Sequence, residues 1–283
     1  MHFKTLTTLT LSTLLPLLTP TTATEINDFS CPLTTHPNPI IFLHGLGATY
    51  YEDLNLLQAW LQSAGYCTYA TTYGEYAGFP FLGGLKPIAE SAVEIAEYIR
   101  EVQEKTGAQK VDLVGHSEGA FQSLYVPKVE DGVSEIVQRI VAIAPPTRGT
   151  VFIGGIYNLA YVFGGFSREL IGNVLNAVGC GACDDVGPGG DAIARLNDGE
   201  PIVQPGNQLT VIMSRFDEMV TPVTTAFVHE AGVNNVWVQD FCPLDPVGHI
   251  GEAYDLNVWN LVRNALDDEP ERTFPCVIGS PGK

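Results

Sequence analysis

Three observations predict a doubly wound α/β sheet for this chain. Short apolar runs rich in β-branched residues recur along its length. A long helical period separates two of them. Several of the runs are apolar at successive positions, as strands covered on both faces must be. The predicted strands are Ile40–Leu43, 66–71, 111–114, 140–144, 209–213 and 236–241. Between the second and third, Ile88, Ala92, Ile95, Ile99 and Val102 step by four, three, four and three, which is one face of a helix. Pro87 stands at its start and Gly107 just past its end.

The chain has 283 residues, enough for one large α/β domain, and its 45% hydrophobic and 16% charged residues describe a globular protein. Residues 1–23 read as a signal peptide, with Lys4, then a Leu/Thr stretch, then small residues ending at Ala23. The catalytic domain is then expected over 24–283, in a secreted, extracellular protein. Six cysteines, an even number, suit an oxidising compartment. Sequence alone leaves 15 pairings open. Cys180 and Cys183 form a C-x-x-C with no second half to complete a zinc site, which favours a short-loop disulfide; Cys31–Cys67 and Cys242–Cys276 are then the expected partners. The net charge of −18 argues against nucleic acid and anionic membrane surfaces as partners, because both would repel it. No apolar run is long enough to span a bilayer.

The chemistry concentrates in Val111-Asp112-Leu113-Val114-Gly115-His116-Ser117-Glu118-Gly119. A buried strand runs into G-x-S-x-G and then into a helix, the context that lifts a serine hydroxyl above a sheet edge on a strained turn. Ser117 is therefore the expected nucleophile. A serine hydroxyl needs a base to take its proton and a carboxylate to orient that base, in the chain order Ser, acid, His. Of the six histidines only His229 and His249 follow the serine far enough. His229 falls in 224–231, expected to be a helix outside the sheet. His249 lies in a glycine-flanked loop after the last strand and is the expected base. Asp217, in the loop after strand 209–213, is the expected acid, with Glu218 and Asp245 as alternatives. The oxyanion donors should be the backbone N–H groups of Glu118 and Leu46, the latter in His44-Gly45-Leu46-Gly47, with His44 buttressing that loop. No cofactor or metal is called for, since these groups supply nucleophile, base and charge stabilisation.

Residues 151–183 break the rhythm. They hold only two charged residues, Arg168 and Glu169, among Gly, Phe, Tyr, Leu and Ile. They read either as core helices or as a cap or lid, reaching to about 205, whose apolar face lines a substrate site through Phe152, Ile156, Tyr157 and Phe163.

On Ile40–Gly47, the elbow, IAPPTRGT, 190–197, SRFDEMVTP and CPLDPVGHIG, the chain resembles the class 2 bacterial and fungal lipases of the α/β-hydrolase superfamily, and more distantly fungal lipase B. The resemblance implies the α/β-hydrolase fold with Ser117, Asp217 and His249 as triad and Leu46 and Glu118 as oxyanion donors. It also implies a disulfide through Cys242 and ester hydrolysis on acyl lipids. Separately, a transient lipid–water interface and a monomer are expected. Three positions depart from it. Glu118 stands where Gln or Met is usual; an ionised carboxylate there would disfavour the oxyanion and stabilise the His249 imidazolium. Leu46 lacks the hydroxyl of the lipase B relatives, so a third oxyanion donor is not expected, and Pro127 should shorten the helix after the elbow. A short-chain esterase or cutinase-like polyester hydrolase would share the triad, and a catalytically silent binding protein would share the fold.

Overall fold

The computed structural model describes residues 26–150, 168–187 and 189–279. The signal-peptide expectation over 1–23 and the substrate-lining expectations at Phe152, Ile156, Tyr157 and Phe163 lie outside the described residues. The helix-rich elements follow in the order β1 (Ile40–Leu43), α1 (Asn55–Ser63), β2 (Thr68–Ala70), α2 (Ile88–Thr106), β3 (Val111–His116), α3 (Glu118–Val129), α4 (Val133–Ile136) and β4 (Val137–Ile143). Then come α5 (Arg168–Ala177), α6 (Gly181–Asp185), α7 (Asp191–Leu196), β5 (Gln208–Met213), β6 (Asn234–Trp237), α8 (Val238–Phe241), α9 (His249–Glu252) and α10 (Leu256–Leu266). Among the described residues the sheet has six strands, in the order β2-β1-β3-β4-β5-β6, and every pairing is parallel.

The alternation of β1 shows why it is apolar at every position. Ile41 and Leu43 face a core shared with Leu113 and the α2 stripe of Ile88, Ala92, Ile95, Ile99 and Val102. Ile40 and Phe42 face the other core, with Leu57 and Leu61 of α1 and Val258, Leu261 and Val262 of α10. Each β1 residue is therefore buried whichever way it points. Gly107 ends α2 at φ 67°, a left-handed conformation that glycine adopts without steric cost. The N-terminal Ile88 N–H of α2 is capped from a distance by Asp185 Oδ2 at 2.7 Å.

Three elements differ from the sequence expectation. The run 236–241 splits into the end of β6 and the helical turn α8. The turn aims Gln239 inward, where its amide bonds the Arg215 N–H, Ser214 Oγ and the Asp245 carbonyl. Those three bonds fall outside any hydrophobic pattern. In place of a helix over 224–231 there is one 3₁₀ turn, Val223–Ala226, after which Val228 exchanges hydrogen bonds with Asn235 beside β6 and His229 is exposed. Finally, α3 continues two residues past Pro127, which sits in its last turn.

Candidate active site

Ser117 occupies the turn between β3 and α3 at φ 56°, in the left-handed region. The flanking glycines make that turn possible. A Cβ on Gly115 would lie 2.3 Å from the Gly119 carbonyl oxygen, and one on Gly119 would lie 2.2 Å from that of Leu43. No larger residue fits either position, so the G-x-S-x-G spacing is dictated by strand and helix passing in contact. The Ser117 N–H donates to the Ile143 carbonyl at 2.9 Å, tying the elbow to β4.

His249 opens α9 rather than sitting in a loop, and its ring reaches back over the elbow. Its Nε2 lies 2.8 Å from Ser117 Oγ and its Nδ1 lies 2.6 Å from Asp217 Oδ2. A carboxylate at Nδ1 fixes the tautomer: Nδ1–H donates to Asp217, leaving Nε2 as the acceptor for the serine proton. The other Asp217 oxygen accepts the N–H groups of Met219 and Val220 at 2.7 and 2.8 Å, so the loop after β5 holds the carboxylate in orientation. The two alternative acids are engaged elsewhere. Glu218 accepts the His249 backbone N–H, and Asp245 accepts from the Val247 N–H and the Asn257 amide.

Ser117, His249, Leu46 and Glu118 all line one cavity of about 250 Å³. Its walls are largely apolar, with Pro146, Val186, Val220 and Ile250 among them. Among the described residues, no acceptor pairs with the backbone N–H of Leu46 or of Glu118.

The loop carrying Leu46 is held at several points. His44 lies flat against Tyr73, with ring centroids 4.2 Å apart. Its Nδ1 donates to the Gly45 carbonyl at 2.9 Å and its Nε2 accepts the Tyr73 N–H, an arrangement for a neutral imidazole; burial moves its pKa down in the same direction. His44 thus has the buttressing place expected of it. Asp53 accepts the Gly45 N–H at 2.6 Å and contacts His116 Nδ1 at 3.0 Å, while His116 Nε2 donates to the His249 carbonyl at 3.0 Å. Burial opposes charge on both groups, but their attraction and hydrogen bonds outweigh it. Asp53 is held below the usual carboxylate range and His116 above the usual histidine range.

The Glu118 side chain bears on the question of its charge. It is buried, and burial pushes its carboxyl up to about 8, against side-chain hydrogen bonds with Tyr73 and Gln122 that favour the charged form. Sequence reasoning also passed over Asp53, Tyr73 and Glu252. Glu252 lies buried behind Asp217 and accepts the Ser214 N–H; burial, then the Asp217 charge, push its pKa well up. Only His116, inside the elbow motif, carried a signal that could have marked it. His116, His249 and Glu252 bring possible metal-ligand atoms within 4.8 Å of one another. Both His116 nitrogens are already engaged and His249 Nε2 faces Ser117, so an ion there would compete with the Ser117–His249 bond. All six cysteines are paired, as Cys31–Cys67, Cys180–Cys183 and Cys242–Cys276, matching the expected pairs.

A parallel sheet with a glycine-flanked serine elbow after its third strand defines an α/β hydrolase. Solved structures agree on that fold. Aspergillus fumigatus lipase B superimposes with a TM-score of 0.58 at 20% identity, over 86% of this chain and 58% of that one. The mature Bacillus licheniformis lipase BlEst2 does so at 0.52 and 17%, over 76% and 88%. The family model for Lipase (class 2) matches residues 37–239, and the chain belongs to that family. Triacylglycerol lipases of Pseudarthrobacter phenanthrenivorans and Burkholderia plantarii are each 29% identical over 165 residues, 56% of this chain. The match spans about half the length of these relatives, 49% and 43%.

Proposed function

We propose that this chain is a secreted serine carboxylic-ester hydrolase, and that its substrates are acylglycerols or other apolar esters, as a triacylglycerol lipase would take. The observation that carries the reading is the unbroken series Asp217–His249–Ser117, set on a strained elbow at the floor of an apolar cavity. His249 Nε2 takes the Ser117 proton as Oγ bonds to the ester carbonyl carbon. The carbonyl oxygen becomes an oxyanion facing the Leu46 and Glu118 N–H groups. His249 then gives the proton to the departing alcohol oxygen, leaving an acyl-serine. Water repeats the sequence, releasing the acid and restoring Ser117. Asp217 stabilises the imidazolium at each stage without itself being protonated. Three disulfides support an oxidising compartment. No helix among the described residues is long and apolar enough to cross a membrane. Of the region 151–205 expected to form a cap, Val186 lines the cavity, whereas Ala192, Leu196 and Ile202 are buried in the core shared with α2 and α3.

The test is a rate series over p-nitrophenyl and glyceryl esters of increasing acyl length, run beside labelling with an alkyl phosphonate. The expected result is a maximum at medium or long chains, with label on Ser117. Ser117→Ala should lower kcat on the order of 10⁶-fold and abolish labelling. A maximum at acetyl would replace the lipase reading with a short-chain esterase, and an unlabelled Ser117 would remove the hydrolase reading.

A further inference from the structure

The Glu118 side chain takes no part in the chemistry above, although it is buried directly beside the nucleophile. Its Oε2 lies 2.7 Å from the Tyr73 hydroxyl, and that same hydroxyl lies 2.6 Å from the His44 carbonyl oxygen. A phenol has a single proton to donate. The His44 carbonyl can only accept, so the phenol proton belongs to it. Two oxygens at 2.7 Å with no hydrogen between them repel, so the second contact needs a proton supplied by Glu118. The remaining carboxyl oxygen points the same way. Oε1 is buried with no hydrogen-bond partner among the described residues, whereas an ionised carboxylate at that depth calls for two or three donors.

Among the described residues, no cation offsets a negative charge there. Tyr73 faces Glu118 from the loop after β2, with the neutral His44 stacked behind it, and Gly84 closes over Oε2. Asp185 of α6 acts on it as a second acid; Gln122 of α3 bonds it from its own helix and favours the charged form, but burial outweighs that bond.

We propose that Glu118 is a positioning residue held as a neutral carboxylic acid. It donates to Tyr73, Tyr73 donates to the His44 carbonyl, and this relay fixes the loop that presents the Leu46 N–H to the oxyanion. The inference rests on the hydrolase reading for its kinetic consequence, but the protonation state does not. The Tyr73 bond to the His44 carbonyl then joins the Asp53 bond to the Gly45 N–H among the contacts that hold the loop. When Glu118 ionises, its carboxylate draws the Tyr73 proton away from His44, and a negative charge stands one residue from the oxyanion. The loss falls on the transition state, and so on kcat more than KM.

Two measurements test this. Infrared difference spectra between pH 6 and pH 10 read the C=O stretch of a protonated carboxyl without any turnover. The wild-type protein should show a band that disappears around pH 8 and is missing from Glu118→Gln. The pH dependence of kcat on a soluble butyryl ester should show an alkaline fall centred near 8, about tenfold by pH 9. Glu118→Ala, which cannot donate to Tyr73, should lose roughly tenfold or more in kcat even at pH 6.5. Glu118→Gln, whose amide can donate, should recover most of that loss and lack the alkaline fall. A wild-type protein without the infrared band at pH 6, or a Glu118→Gln profile with the same alkaline fall, overturns the proposal. If Glu118→Ala does not fold, the infrared band and the Gln profile still decide. A protein inactive on every ester that shows the titrating band sinks the hydrolase reading and leaves the neutral carboxyl standing.

Discussion

Asp53 touches two parts of the site that the chain brings together from far apart. It accepts the N–H of Gly45, eight residues away, and pairs with His116, 63 residues away, which in turn holds the His249 carbonyl. One carboxylate thereby sets the distance between the oxyanion loop and the backbone of the base. Asp53→Asn should lower kcat, and it should cost about 3–5 kcal/mol of stability in a urea titration, because it leaves His116 buried beside a neutral partner. The pH dependence follows from the direction of each shift. Asp53, held low, contributes stability above its unfolded pKa that is lost as pH falls through its folded value. His116, held high, contributes stability below its unfolded pKa that is lost as pH rises through its folded value. Wild-type stability should therefore decline at both ends of that window, and the Asn variant should lose both declines together. The sequence around Asp53, Tyr51-Glu52-Asp53-Leu54, has no spacing that marks this role, since both partners arrive through tertiary folding. Ser117, Asp217 and His249 were legible for the opposite reason: the fold puts its functional groups at strand ends in a set chain order, and strands can be read from apolar runs. Glu118 was visible in the motif, but its burial and its contact with Tyr73, 45 residues distant, arise only in the fold.

At the level of elements, legibility tracked how each one is stabilised. Helix α2 has one apolar face on the core and one polar face on solvent, so its period alone predicted it from Ile88 onward. The end of β6 could not be read in the same way. Val236, Trp237 and Val238 continue an apolar run across the point where the chain turns into α8, and the cause of the turn is the buried amide of Gln239. Helix α10 depends on a local device that can be tested. Asp255 accepts the N–H groups of Asn257 and Val258 at 2.7 and 3.2 Å, and so satisfies two donors that begin the helix without intrahelical partners. The helix lays Val258, Leu261, Val262 and Leu266 on the face of the sheet that also carries Val141 and Ile212. Asp255→Ala should cost about 1 kcal/mol, read as a fall of about 2–4 °C in the melting temperature. The Ser117–His249 geometry lies outside this helix, so phosphonate labelling at 25 °C should proceed at the wild-type rate. A slower label would mean that α10 also sets the position of α9.

For the whole molecule, the balance lies between a charge that favours expansion and three covalent staples that limit it. A net charge of −18 repels itself most in the compact state, and the repulsion is screened over about 8 Å at 0.15 M salt but only over about 30 Å at 0.01 M. Cys31–Cys67 and Cys242–Cys276 join residues 36 and 34 apart, tying the described N-terminal segment to the start of β2 and the end of α8 to the C-terminal segment. Cys180–Cys183 joins residues only three apart. Loop-closure entropy in the unfolded chain assigns about 4 kcal/mol to each long link and about 2 kcal/mol to the short one. Guanidinium titrations of Cys31→Ser/Cys67→Ser and Cys180→Ser/Cys183→Ser, each against the wild type at 0.15 M salt, should reproduce that ratio. Equal losses would show that the short link acts through folded contacts around α6 rather than through chain entropy. Because guanidinium is itself a salt, the charge effect calls for urea. Lowering the salt to 0.01 M should move the urea midpoints of the wild type and both variants downward by similar amounts, since the repulsion acts on the compact state whichever link is missing. The Cys31→Ser/Cys67→Ser protein has least stability in reserve and should therefore be the first to unfold as salt is withdrawn.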